Sequence, residues 1–236
     1  MSQPVSPEPI TTTGTRELPA YLSSGVIGLR VVDIPLLSGM TMVSGFVGLH
    51  PVVQVEAAAN APYPLAGDLG IDGVWLVTAP QLTEFIDQAY DFATGELRTR
   101  FRFHGTKATA DVEVLTFCSQ KRPTLVLQEV RVEVSAPCEL QLRALIDSND
   151  VHGHVSRRDA DPPGHDVGAI DGSLCWESLG GLARCGVAYV TEFLGDASVQ
   201  RTKEDLGPGE LARHHVQAPR RDRTPVSPSA DRVPRA

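Results

Sequence analysis

The side chains able to do chemistry are few, and their spacing decides what chemistry they could do. In Val151-His152-Gly153-His154-Val155 a strand would set His152 and His154 on one face at ligand distance, with His165 as a third donor further on. Arg157, Arg158, Asp159, Asp161, Pro162 and Pro163 lie between them, and so polar a loop makes a poor preformed site. His214 and His215 are adjacent and cannot converge on one ion, so no metal is expected. Trp75 and Trp176 are the only flat platforms for stacking a sugar ring, although packing in a core is the competing role for both. Arg98, Arg100 and Arg102 form a basic stripe that could meet another domain or an anionic ligand, or lie on a solvated sheet face. Glu84, Glu96, Glu129, Glu133 and Glu177 are candidate carboxylates, but sugar chemistry needs two of them facing across a cleft at roughly 5 to 10 Å, which spacing along a chain does not supply. The glycine-rich phosphate loops, the HExxH zinc helix and the GxSxG elbow are all absent. The expectation is that no catalytic residue and no cofactor belongs to this chain.

The elements that would carry these residues read as strands. In Leu97–His104 the residues Leu97, Thr99, Phe101 and Phe103 alternate with Arg98, Arg100, Arg102 and His104, as in a strand with one face buried. Ala110–Ser119 and Thr124–Ser135 continue the pattern, the second placing Val126, Val130, Val132 and Val134 on one face; Leu140, Leu142 and Ala144 follow. Gln120-Lys121-Arg122-Pro123 and Ala136-Pro137-Cys138 are short links of the kind that join antiparallel neighbours. Leu82, Phe85, Ile86, Ala89 and Tyr90 have helical spacing behind Pro80, yet Leu82, Ile86, Tyr90 and Phe92 also fit a strand turned back by Ala93-Thr94-Gly95. The hairpin is the preferred reading.

Composition sets the outer limits. With 236 residues, 42% hydrophobic and 21% charged, the chain can bury a self-sufficient core, since a domain of this size withdraws roughly 70% of its unfolded surface. Aromatics at 6%, with 18 Pro and 21 Gly, suit a turn-rich all-β fold better than a helix bundle. Of the 21 basic and 29 acidic residues, 8 and 5 lie in positions 201 to 236, which leaves 13 and 24 in the first 200 and a net charge of −11 there. So acidic a body argues against nucleic acid as a partner. Cys118, Cys138, Cys175 and Cys185 contain no CxxC pair and read as ordinary buried thiols. The 22 residues from Ile34 to Val55 lack a formal charge, but Pro35, Pro51 and three glycines break them, so strands and turns rather than a membrane span are expected. The N-terminus has no basic and apolar leader, which points to a cytoplasmic protein without membrane contact. Residues 1–15 are expected to be disordered, 16–205 to form the domain, and 206–236, with its arginines and prolines, to be a disordered tail.

Four stretches carry a family resemblance. Tyr21–Arg30 resembles an Asn-Gly-Tyr-Leu-Gly-x-Arg-Gly run, with Ser24, Val26 and Val31 standing where that pattern has Asn, an aromatic and Gly. Asp68–Gly73 and Tyr90–Arg100 resemble the segment after a Pro-rich turn and a Leu-Asp-x-x-x-Gly-x-Leu-x-Arg hairpin. Val112–Val134 resembles the strand pair that follows, with Phe117-Cys118-Ser119 before its turn and Pro123–Leu127 after it. In this order, over about residues 16 to 195, they are similar to the N-terminal domain of glycoside hydrolase family 65, the α-glucoside phosphorylases and hydrolases. The resemblance implies an antiparallel two-sheet supersandwich related to galactose mutarotase. It also implies a role in carbohydrate metabolism in which an (α/α)6 barrel, absent here, holds the general-acid Glu and the phosphate-binding or base residues.

The expected function is therefore a non-catalytic domain separated from its barrel, by truncation or as one part of a split enzyme. The expected partners are that barrel or an α-glucoside disaccharide, with a homodimer as a further possibility. A free-standing carbohydrate-binding or scaffold module is the alternative, and a mutarotase-like enzyme the third reading.

Overall fold

The computed structural model describes residues 10–12, 20–159, 172–192 and 194. Among these residues fifteen strands carry the fold: β1 Ile10–Thr12, β2 Ala20–Ser23, β3 Ile27–Val31, β4 Gly39–Leu49, β5 Glu56–Ala61, β6 Tyr63–Ile71, β7 Val74–Trp75, β8 Thr83–Asp91, β9 Glu96–His104, β10 Thr109–Cys118, β11 Val126–Val134, β12 Leu140–Asp147, β13 Gly153–Asp159, β14 Gly172–Ser178 and β15 Arg184–Tyr189. The other elements among the described residues are two three-residue turns of 3₁₀ helix, Pro80–Leu82 and Leu179–Gly181. The protein is all-β with antiparallel sheets, as its alternation and turn content imply.

The strands form one five-stranded sheet, β1-β8-β9-β10-β11, covered by a second layer built of two smaller sheets, β2-β3-β4-β5 and β12-β6-β7, and a further small sheet, β13-β14-β15, packs on β4, β5 and β12 of that layer. Two large sheets were expected, so the second layer differs from that picture in being broken into pieces. Pro62, between β5 and β6, has no amide to carry a ladder onward, and Ala136-Pro137-Cys138 takes the chain from β11 across to β12, which pairs with β6. That second link therefore joins two layers, where adjacent strands of one sheet were expected.

Two apolar clusters hold the layers together, and a third seats β13-β14-β15 on the covering strands. Phe101, Phe103, Val112 and Val114 of the large sheet meet Leu69, Ile71, Leu76 and Leu140. Leu97 and Cys118 meet Leu22, Leu29, Val31 and Tyr63, and Trp176 and Leu174 meet Phe46, Ala61 and Ile146. The alternation of β9 is carried through: Leu97, Thr99, Phe101 and Phe103 are each at most 1% exposed. Gln88 supplies the hydrogen bond that buried Thr99 needs, its Nε2 donating to Thr99 Oγ1 at 3.0 Å and to the Val32 carbonyl at 3.2 Å.

The ambiguous segment is strand β8, paired with β9 as the hairpin reading required. Its helical spacing has a local cause. The register shifts between Phe85 and Asp87, so Ile86 is an extra residue that resets which positions face inward. The turn closes on Gly95 at φ +74°, with Asp91 Oδ1 accepting from the Ala93 amide at 2.8 Å. Within the expected N-terminal segment 1–15, Ile10–Thr12 pair antiparallel with β8 from Tyr90 to Gln88. The rest of that segment, most of the last expected domain stretch and the whole of 206–236 lie outside the described residues. Ile34–Val55 contains the eleven-residue β4, and no helix of the described residues is long and apolar enough to cross a membrane.

Gly39 opens β4 directly against the ring of Tyr63, leaving no room for a Cβ. Tyr63 is itself buried, its hydroxyl donating to the Pro35 carbonyl at 3.2 Å. Gly39→Ala is expected to cost about 1–3 kcal/mol of stability through overpacking, read from urea unfolding, while Gly28→Ala, where the space is open, stays near wild type.

Candidate functional site

The three arginines of the expected stripe alternate with the buried positions of β9, and the neighbouring strands supply counter-charges to Arg100 and Arg102, while Arg98 stands between Ala89 and Leu115. Arg100 is paired with Asp87 on β8 through two hydrogen bonds. Arg102 Nε lies 2.7 Å from Asp111 Oδ1 on β10, with Glu84 at 3.9 Å. Arg131 on β11 reaches Glu129 at 2.8 Å and Glu113 at 3.3 Å. Hydrogen bonding from Arg100 holds the Asp87 carboxyl below the ordinary carboxylate range. The stripe is thus part of a mixed lattice of both signs, and exposed pairs of this sort contribute little to stability.

Trp75 is enclosed. Gly70 is its cross-strand partner on β6, and the Arg143 guanidinium stacks 3.3 Å above its ring centroid. Arg143 in turn faces Asp68 across the β6–β12 pair, with Nη1 at 3.5 Å from Oδ2. Asp68 is 3% exposed, and its Oδ1 accepts from the amides of Leu69 at 2.9 Å and Val77 at 3.0 Å. The carboxylate thereby ties β6 to the chain that leaves β7 while balancing the cation that covers Trp75. Trp176, at 5% exposure, packs in the third apolar cluster. Neither indole presents an open platform. Asp68 and Arg143 were not singled out from sequence; the available signal was an acid inside the apolar run Leu65–Ile71, which only strand pairing connects to Arg143.

A shallow concavity of about 320 Å³ lies where the β2–β3 turn meets an irregularity in β4, with Ser23, Gly25, Met42, Ser44, Gly45 and Ala58 among its lining. The ladder with β5 jumps there from Met42 to Val47, and Gly45 takes φ +78°. Ser24 holds the turn in place, accepting from the Ile27 amide at 3.1 Å and donating to the Pro123 carbonyl at 2.6 Å. Among the described residues, no titratable side chain lines this hollow, so they could bind a ligand there but not transfer a proton.

His152 and His154 flank the start of β13, and His165 lies outside the described residues. Among the described residues, no three His, Cys, Asp or Glu side chains are placed to hold a metal ion. Glu84 and Glu129 are engaged by His104 or arginine, and Glu177 pairs with Arg184 at 2.6 Å. The four cysteines are free thiols, and burial pushes Cys118 and Cys185 up to about 11.

These features define an antiparallel β-sandwich domain in which Asp68, Asp87, Arg100, Arg102 and Arg143 are paired with residues of neighbouring strands. Residues 41–176 match the N-terminal domain of glycosyl hydrolase family 65, and the chain belongs to that family. Among solved structures, one similar in fold is a protein from human microbiome assigned by name to the kojibiose phosphorylases, with a TM-score of 0.58 at 14% identity. The alignment covers 84% of this chain and 27% of that one, so this chain spans about a quarter of its neighbour's length. No curated protein sequence matches.

Two outcomes follow from this geometry. Asp68→Asn keeps the amide contacts but removes the charge facing Arg143, and is expected to lower stability by about 2–3 kcal/mol in chemical denaturation. With thiol pKa values near 11, Cys118 and Cys185 should be thiolate in roughly one molecule per thousand at pH 8. Both are expected to resist a thiol reagent in the folded protein and to react promptly once it is unfolded.

Proposed function

We propose that this chain is the non-catalytic N-terminal domain of an α-glucoside hydrolase or phosphorylase, acting beside an (α/α)6 barrel that supplies the general acid and the phosphate- or water-activating groups, whichever polypeptide carries that barrel. The observation that carries the reading is the family match over residues 41–176. The disposition of the carboxylates supports it. Glycoside cleavage needs two carboxyl groups opposed across a cleft, and here Asp87, Asp111 and Glu113 are spent on arginines of adjacent strands.

The β4–β5 connection supports it as well. Val52, Val53 and Val55 are 81%, 60% and 57% exposed, an apolar tip of the kind that marks contact with another protein surface. The tip is pre-organised: His50 Nδ1 accepts from the amides of Val52 and Val53 at 3.2 and 3.3 Å, and Gln54 Nε2 donates to the carbonyls of His50 and Pro51. A loop ordered before contact loses less entropy on docking, which suits a permanent contact with the barrel. A free-standing sugar-binding module finds less support, because Trp75 is stacked under Arg143 and Trp176 is in the core.

Purified chain incubated with kojibiose, trehalose, nigerose or maltose, with and without inorganic phosphate, is expected to release no glucose above background and to give no binding heat at millimolar sugar. Turnover would overturn the reading, since it requires an acid–base pair within this chain. Saturable heat without turnover would favour the binding module.

A further inference from the structure

Strand β11 closes the large sheet on one side, and among the described residues no strand pairs with its outer edge. Which of its backbone groups are unpaired follows from register. Ser135 donates to Thr109 and Ser119 donates to Leu125, and residues 135 and 125 stand opposite 109 and 119. Ladder bonds alternate along an antiparallel pair, so the odd-numbered residues of β11 bond to β10. Val126, Gln128, Val130, Val132 and Val134 therefore turn their N–H and C=O groups outward. A nine-residue edge without proline or glycine is a ready template for another strand.

We propose that this edge pairs with β11 of a second copy of the same chain, antiparallel about a two-fold axis at Val130, to form a continuous ten-stranded sheet across the dimer. The inference is independent of the functional reading above.

Charge selects both the occupant and the register. Across the outer face of one sheet runs a row of cross-strand neighbours, Asp87, Arg100, Glu113 and Arg131, whose signs alternate up to the free edge. With the axis at Val130, Arg131 stands opposite Glu129 of the second copy, and the row continues with a negative charge. By symmetry the pair forms twice. Val130 meets its own counterpart, Gln128 meets Val132 and Val126 meets Val134, so all five outward residues bond and the full length of β11 overlaps. Moving one chain by two residues along the other sets Glu129 against Glu129, or Arg131 against Arg131 and Glu129 against Glu133. Like charges directly opposite are unfavourable, and those registers are rejected. An edge complementary to itself is what an isologous contact requires.

The test uses the full chain in sedimentation velocity over a range of concentrations. Wild type is expected to be a dimer. Val130→Pro removes an outward N–H and no ladder bond, so it should give a monomer with unchanged circular dichroism. Arg131→Glu and Glu129→Arg each set like charges opposite and should weaken the dimer at least about tenfold. Mixed in equal amounts, these two variants should form a heterodimer. The first carries carboxylates at both positions and the second carries guanidiniums at both, so every facing pair is then opposite in sign. Wild type that stays monomeric, a dimer that Val130→Pro and both charge variants leave intact, or charge variants that fail to recombine would each overturn the proposal. Should Val130→Pro fail to fold, the mixing experiment decides alone.

Discussion

Leu97, Thr99, Phe101 and Phe103 leave β9 on one side and are withdrawn almost wholly from water, so the sheet that carries them exists only if another layer covers them. Each large side chain so buried contributes roughly 1.5–3 kcal/mol relative to exposure, and backbone ordering consumes most of that sum. Everything opposite β9 answers this demand. β6 and β12 cover its far end through Leu69, Ile71 and Leu140, and β2 and β3 cover the near end through Leu22 and Leu29. The covering layer needs only to present apolar atoms, not to form one ladder, and so it tolerates being broken at Pro62 and at the crossing to β12.

Polar groups inside this sandwich are there to solve problems that the layers create. Thr99 falls on the buried face and is answered by Gln88. Asp68 sits in a buried strand and is answered by two amides and by Arg143, whose guanidinium stacks on Trp75. Such commitments remove these residues from chemistry. A carboxylate that holds β6 to the chain after β7, an indole beneath a cation and an arginine bound to the next strand's aspartate are each already engaged by neighbours within the sandwich.

The strands were legible where side-chain alternation is unbroken. β9 and β10 read directly, because one face is apolar at every second residue and the other carries charge. β8 was ambiguous for a physical reason, since the extra residue at Ile86 shifts the inward positions by one and imitates helical spacing. The site was less legible. Arg98, Arg100 and Arg102 looked like a basic stripe because sequence shows one strand at a time, whereas Asp87 and Asp111 reach the arginines from strands on either side. The partnership of Asp68 with Arg143 depends on pairing residues 75 positions apart, and local pattern holds no information about that separation.

The central claim is that covering the inner face of β9 is what organises this protein. Residue-resolved hydrogen exchange measures it most directly, because the slowest amides mark the last structure to open. The account predicts that the amides of β9 and its partner β10 exchange slowest in the molecule, only through global unfolding, while those of the Val52–Val55 loop exchange early. Exchange from β9 as fast as from that loop, with the slowest amides in β13 to β15 instead, would contradict it.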